Sequence, residues 1–546
     1  MTAAAVEAVD SSVGNLARDW RADKLPLEIP AIAHGHTCPA SNSQGQQGEP
    51  HRAAGHEFLA LPGSNIFHYH APASFRTVPL KYNNKAHTMS RIHVSCKTLF
   101  TGLEDDARSD QALVIENGVF IYVGPKNSAP MPEPGDEVIE ADDHFVMPGL
   151  VDVHTHLVFG NAKSEEDVDL FVSPEFRALR GLFFTQHVLA AGYTSVVVPG
   201  DAGQCSISVR NAINAGMFKG PRIAASSNVI ANRQSLNDWF PTWVGTPDYF
   251  TGRLCETRDE QIAEVRRQAK DGVDLIKISM DGPHMRENGE HIAAFTQDET
   301  TAMVAEAHRL GKKVAVHAYG REAVLYAAKA GVDVIFHAFF LDDACIEAIL
   351  ESGSHIAPTF TMLANNVEFA ETYEPSTKSG YRAMQQRVID IGCRNLRKAR
   401  EAGVPFMTGS DAGFAITPYG EWHAREIEIL VDWLGFSPAQ ALRAATSVSA
   451  RMMPSTQKVG ALEVGRRADF IFIEGSPLQN VSILQEREKI RAVFLGGVRV
   501  HAQVPGYDPN RVSDFNTVKW SELHTRTRAV ELGKRPSSTN LPKASL

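Results

Sequence analysis

From residue 91 onward, apolar and polar positions follow two different periods. Ile92-His-Val-Ser-Cys96 alternates with period two. Ala112-Leu-Val-Ile-Glu116 and Val119-Phe-Ile-Tyr-Val-Gly124 flank Asn117-Gly118, a pattern that predicts a β-hairpin. Far downstream, Ala468-Asp-Phe-Ile-Phe-Ile-Glu474, Ile490-Arg-Ala-Val-Phe-Leu-Gly496 and Gly497-Val-Arg-Val-His501 read the same way. Neither flank holds enough strands to close a core of its own. Together, 89–148 and 460–503 are expected to form one small composite β-sandwich.

Between the flanks, residues 149–459 alternate strand and helix. Strands are expected at 150–156, 195–199, 222–230, 273–279, 313–318, 333–338, 355–360 and 404–410. Helical periodicity lies between most of them, as in Asp259 to Lys270, Asp298 to Leu310 and Arg321 to Ala330. Eight strands with intervening helices predict an α/β protein with a (β/α)8 TIM-like barrel. A doubly wound sheet would usually need a Gly-rich phosphate loop after its first strand, and none is present. Residues 1–88 differ: they are rich in His, Pro, Gly, Ser and Gln and read as a loop-rich extension. His34-Gly-His36-Thr-Cys38 and His68-Tyr-His70 lie there with no strand pattern around them, and Met89 offers a shorter start. Residues 504–546 read as a C-terminal tail.

Composition narrows the class. The 546 residues are 43% hydrophobic and 22% charged, as in soluble globular proteins. A formal net charge of −10, with no basic cluster interleaved with aromatics, argues against nucleic acid as the main partner. No run of eighteen apolar residues occurs and the N-terminus lacks a signal-peptide pattern, so a cytoplasmic protein without membrane association is expected. The six cysteines (Cys38, Cys96, Cys205, Cys255, Cys345, Cys393) are scattered, which indicates neither a thiolate metal site nor a disulfide framework.

The chemistry gathers where the predicted strands end. His154 and His156 close the first strand; two residues apart on a strand, they share a face and can reach one metal. Lys277 lies in the fourth, His317 ends the fifth, His337 ends the sixth and Asp411 ends the eighth. Each has an ordinary reading taken singly: a core hydrogen bond for a histidine, a turn cap for Asp411, a snorkelling stem for Lys277. In five matching positions at the end where barrels carry their chemistry, they predict a metal site. Lys277 needs its own reason, because an ammonium repels a dication. Among apolar neighbours its pKa would fall. The neutral amine can add carbon dioxide, and the resulting carbamate is an anionic ligand with two oxygens.

These residues resemble the amidohydrolase superfamily of metal-dependent hydrolases, in the branch with a carboxylated lysine and a binuclear centre. The likeness spans about residues 90–503 and includes Gly460-Ala-Leu-Glu-Val-Gly-Arg-Arg-Ala-Asp469, which looks like the family's return into its sandwich. Intervals of 40 residues from Lys277 to His317 and 20 from there to His337 fit the imidazolonepropionase-related, Xaa-Pro dipeptidase and ochratoxinase-like group. The resemblance implies two divalent cations, with zinc expected. His154, His156 and Asp411 would hold the first, His317 and His337 the second, with carboxylated Lys277 bridging them. A water activated between the cations would attack the carbonyl. Asp411 would take its proton and pass it to the leaving amine, and His337 or a neighbour would steady the oxyanion.

The expected substrate is a small-molecule amide, either an N-acyl amino acid or a dipeptide-like, ochratoxin-like compound. Candidate binders are His284, Tyr319, Arg321 and Tyr419, with Tyr319 and Arg321 suited to a substrate carboxylate. Phe159, Phe339, Phe340, Phe360 and Phe414 could line an apolar pocket. A homo-oligomer is expected. Two alternatives remain. A mononuclear deaminase or cyclic-amide hydrolase of the same superfamily would usually carry His-x-x-Glu, but here the run is His317-Ala-Tyr-Gly-Arg-Glu322. A non-enzymatic homologue would typically lose ligands, and all six are present.

Overall fold

The structure, a computed structural model, describes residues 91–373, 380–506, 508, 510–511 and 519–533. The expected extension, with His34, His36, Cys38, His68 and His70, lies outside the described residues, as do parts of the expected tail. The strands in chain order are β1 (Ile92–Leu99), β2 (Arg108–Glu116), β3 (Val119–Pro125), β4 (Glu137–Glu140), β5 (Phe145–Pro148), β6 (Leu150–Asp152), β7 (Tyr193–Val198), β8 (Arg222–Ala225), β9 (Val229–Ala231), β10 (Gly252–Leu254), β11 (Leu275–Ser279), β12 (Lys313–Ala318), β13 (Val334–His337), β14 (His355–Ala357), β15 (Phe470–Ile473), β16 (Ile490–Leu495) and β17 (Val498–Val500).

Strands from the two ends of the described chain share one sheet, in the order β17-β16-β15-β5-β1-β2-β3, with β4 also paired to β1. The join is β15 against β5, antiparallel from Phe470 opposite Pro148 to Ile473 opposite Phe145. The turn between β2 and β3 is Asn117-Gly118, both at positive φ (54° and 78°), the geometry that matches a hairpin to strand twist. Phe120, Phe470, Phe472 and Phe494 fill the core of this sheet. Asp469 accepts two hydrogen bonds from the Arg222 guanidinium on β8, at 2.5 and 2.9 Å, tying the sheet to the central region.

The central strands are parallel, in a three-stranded sheet β6-β7-β8 and a six-stranded sheet β10-β9-β11-β12-β13-β14. Their residues alternate between two cores. Val151, Val153, Val197, Ala224, Leu275, Ala315, Val334, Phe336, Ala357 and Met407 pack together in one cluster. Ile276, Ile278, Val314, Val316, Ile335 and Ile356 face the helices. Helices begin where Thr257 and Thr296 form capping boxes with Glu260 and Glu299, and Arg321–Ala330 ends on Gly331 at φ 77°. Among the described residues, no helix is long and apolar enough to cross a membrane.

Several strand expectations change. The run 150–156 ends as a strand at Asp152, where the His154 N–H turns to the Asp152 carboxylate, so His154 and His156 follow the strand and do not close it. The run 222–230 is two strands, because Ser226 to Asn228 turn between them. The Ser226 hydroxyl accepts from Gly200 N–H at 2.5 Å, and Asn228 donates to the Phe250 carbonyl at 2.5 Å. These polar groups are buried but satisfied, so the apolar run concealed a bend. The run 404–410 forms no named strand. Its backbone bonds to both neighbours: Pro405 and Met407 to Ile356, and Thr408 to Val153. Pro405 has no N–H to donate, which leaves the ladder too sparse.

Candidate metal centre

Lys277 lies within β11, His317 and His337 near the ends of β12 and β13, His154 and His156 just after β6, and Asp411 after the run 404–410. Lys277 and His317 follow from register alone. Each lies two residues beyond a member of the inner cluster, Leu275 and Ala315, so alternation puts both on the inner face. His337 does not follow from register, since Phe336 already takes the inner position. Its φ of 74°, with 54° at Ala338, departs from the strand conformation at that point. Asp411 also has positive φ, 55°, held by a 2.7 Å bond from its N–H to the His154 carbonyl. Left-handed backbone at non-glycine residues costs of order 1–3 kcal/mol and persists only where surroundings enforce it.

His154, His156 and Asp411 each offer a donor atom, and these lie within 4.8 Å of one another. Asp411 Oδ1 is 3.2 Å from His156 Nε2 and 3.5 Å from His154 Nε2. The His156 ring donates from Nδ1 to the Gly200 carbonyl at 2.8 Å, which leaves Nε2 free on the Asp411 side. A second histidine pair adjoins the first. The His317 and His337 rings are 4.7 Å apart, and His337 is 5.6 Å from His154. His337 Nδ1 is engaged by the Thr359 hydroxyl. Asp281 Oδ1 lies 3.4 Å from His317 Nε2.

Lys277 is buried, its Nζ has no hydrogen-bond partner among the described residues, and it sits 4.0 Å above the Phe336 ring. Burial drives its amine well below the usual lysine range, against the pull of Asp411. Burial likewise holds His154, His317 and His337 well below the usual imidazole range, with Lys277 contributing to each. Four imidazoles, a carboxylate and a buried lysine amine form a donor set suited to divalent cations.

Of the expected substrate binders, Tyr319 lies in this cluster. Its ring stacks on His317 at 4.8 Å and meets His337 edge-on at 4.7 Å. Burial keeps its phenol protonated by pushing its pKa up. Two others already have polar partners in the fold. Arg321 is half-exposed and paired with Asp342. Tyr419 is buried, donating to the His156 carbonyl and accepting from Gly160 N–H at 3.2 Å, so it supports a ligand from behind. His284 is exposed. Of the aromatic candidates, Phe159 stacks on His156 at 4.3 Å and meets Phe414 at 5.4 Å, while Phe339 and Phe360 pack on each other within the core. Phe340 is only partly buried and packs at the margin of that core.

Sequence reasoning missed Asp281, Thr359 and Gly200. Asp281 is fully buried, accepts the Tyr319 and Gly320 N–H groups, and is pushed up to about 7 by burial. It stands four residues after Lys277, and that spacing was the signal available. A Cβ on Gly200 would lie 2.5 Å from Val229 Cγ2 and 3.9 Å from the His156 ring.

Comparison with known proteins places this arrangement. The model of the amidohydrolase family matches residues 145–500. Ochratoxinase of Aspergillus niger is 27% identical over 405 residues, covering 71% of this chain and 82% of its own. Imidazolonepropionase of Shewanella frigidimarina is 24% identical over 401 residues, covering 66% and 85%. Among solved structures, a Xaa-Pro dipeptidase with methionine in its active site superposes with a TM-score of 0.64 at 29% identity, covering 75% of this chain and 100% of that one. Ochratoxinase of A. niger gives 0.66 at 24% identity, covering 75% and 95%.

Proposed function

This chain belongs to the amidohydrolase family and is a hydrolase of C–N bonds, and from that premise we propose that it cleaves the amide of an N-acyl amino acid or a dipeptide-like, ochratoxin-like compound at a two-metal centre. The observation that carries the reading is the convergence of three donor atoms within 4.8 Å beside a buried lysine that has no hydrogen-bond partner among the described residues. His154, His156 and Asp411 would hold one cation and His317 and His337 the other, with Lys277 as its carbamate supplying an anionic ligand to the pair. Zinc suits this mixture of imidazole and carboxylate ligands. When bound, the cations polarise the scissile carbonyl and acidify water enough for attack near neutral pH.

The protein's own groups do the rest. Asp411 takes the proton from the attacking water and delivers it to the leaving nitrogen. Tyr319, protonated and wedged between the second histidine pair, donates a hydrogen bond to the carbonyl oxygen as charge develops there. Phe159 and Phe414 offer an apolar wall beside His156, suited to an aromatic acyl group. The ochratoxinase and Xaa-Pro dipeptidase relatives support this substrate class.

We extend the proposal to architecture. The parallel strands close as a (β/α)8 barrel over 149–459, supported by the bonds that 404–410 makes to both β14 and the chain after β6. The sheet shared by 89–148 and 460–503 is a composite sandwich around it.

The test is metal analysis with a hydrolysis screen of N-acyl amino acids, Xaa-Pro dipeptides and lactams. Two metals per chain and turnover of an acyclic amide are expected. One metal with turnover of cyclic amides alone would favour an imidazolonepropionase-like reading. Asp411→Asn should lower turnover at least a hundredfold, about 2.7 kcal/mol in barrier height. A loss below about tenfold would remove Asp411 from the proposed role.

A further inference from the structure

The first cation's donors come from two distant segments, the chain after β6 and the chain after Thr408. A single side chain joins them from behind. Asp152 Oδ1 accepts His154 N–H at 2.8 Å and Ser410 N–H at 3.2 Å. Asp152 Oδ2 accepts the Ser410 hydroxyl at 2.5 Å and His423 Nδ1–H at 2.7 Å. The Ser410 hydroxyl in turn accepts Ala412 N–H at 3.2 Å. Asp152, Ser410 and His423 are 1%, 0% and 2% exposed, so no water competes for these bonds. Every bond either ends on a donor residue or its neighbour, or fixes a group that makes such a bond.

Resting on the two-metal reading above, we infer that Asp152 is a positioning residue, steadied by Ser410 and His423, that sets the spacing between His154 and Asp411 and so the affinity for the first metal only. Asp152 touches neither substrate nor the donor atoms. It acts by holding the His154 amide and the turn that carries Asp411 at positive φ. With the four bonds in place, the donors are preorganised before a cation arrives. Without them, binding must also order the two segments. Residues that orient metal ligands in this way typically govern affinity by 10–100-fold. His317 and His337 receive no bond from this carboxylate, so its direct effect falls on the first metal's donors.

The experiment is zinc titration of the full-length protein against a chromogenic chelator, with circular dichroism as a check on folding. The parent protein should take up two equivalents. Asp152→Asn should weaken one equivalent 10–100-fold and leave the other at parental affinity. Ser410→Ala, a smaller change that keeps the carboxylate, should weaken the same equivalent by a lesser factor. His423→Asn, which retains a donor for Asp152, should hold that equivalent more tightly than His423→Leu. A purely structural role would lower stability without separating the two equivalents. Equal weakening of both, or parental affinity in both Asp152→Asn and Ser410→Ala, would overturn the inference alone. A parent that binds no zinc would overturn the two-metal reading and this inference with it.

Discussion

Replacing Lys277 by methionine should make the metal-free protein more stable and the enzyme inactive. The Lys277 amine is buried, has no hydrogen-bond partner among the described residues and lies 4.0 Å above the Phe336 ring. A buried polar group left unpaired costs about 1–3 kcal/mol. Methionine fills a similar volume without that group, and its sulfur packs well against an aromatic ring. In chelator-stripped protein and bicarbonate-free buffer, Lys277→Met should therefore gain about 1–3 kcal/mol in urea unfolding, read as a higher midpoint at unchanged slope. With metal and bicarbonate present the order should reverse, because only the lysine can form the bridging carbamate. Zinc content should fall and turnover should drop below detection. A stripped variant destabilised by more than about 1 kcal/mol would show that the amine is satisfied in the folded protein and that the argument from its isolation is mistaken. Turnover within tenfold of the parent would remove Lys277 from the metal centre.

Three further outcomes can be checked. Burial, with Arg451 nearby, brings His355 down to about 4, so in the acid range the unfolded chain binds a proton that the folded one does not. The parent should thus lose stability relative to His355→Gln as pH falls from about 6.5 to about 4, by up to ~3 kcal/mol in paired urea melts; a difference flat with pH would refute it. Gly200→Ala should cost about 2 kcal/mol or more and weaken zinc uptake. Its φ is 97°, and the new methyl would meet Val229 Cγ2 at 2.5 Å; a variant within 0.5 kcal/mol of the parent, as a rough threshold, would show that β9 yields freely. Deleting 460–503 removes β15, the partner of β5, and should give insoluble protein, whereas a soluble and active product would show the shared sheet to be dispensable.

Several features were legible in the residues themselves. Asn117-Gly118 specifies its hairpin because few other pairs adopt positive φ twice in succession at little cost. The helix at Arg321–Ala330 follows from local periodicity and a glycine stop, both short-range effects. The six candidate ligands could be named because metal affinity depends on side-chain chemistry, which the sequence states directly. Lys277 and His317 could also be oriented, since alternation holds within a regular strand.

Alternation stops where strands stop, and the rest was settled there. His337 reaches its place through a left-handed backbone that no period predicts. Ser226 and Asn228 bend an apolar run because distant backbone groups satisfy them. Arg321 and Tyr419 were named as candidate binders from residue type, and folding pairs one with Asp342 and the other with the His156 backbone. Asp152 stands two residues before His154, but its partners Ser410 and His423 are 258 and 271 residues away. Residue identity and local period thus determined which groups could act. Only the tertiary structure decided which were free to act and which were already bonded, because burial and hydrogen-bond partnership depend on chain segments that meet only on folding.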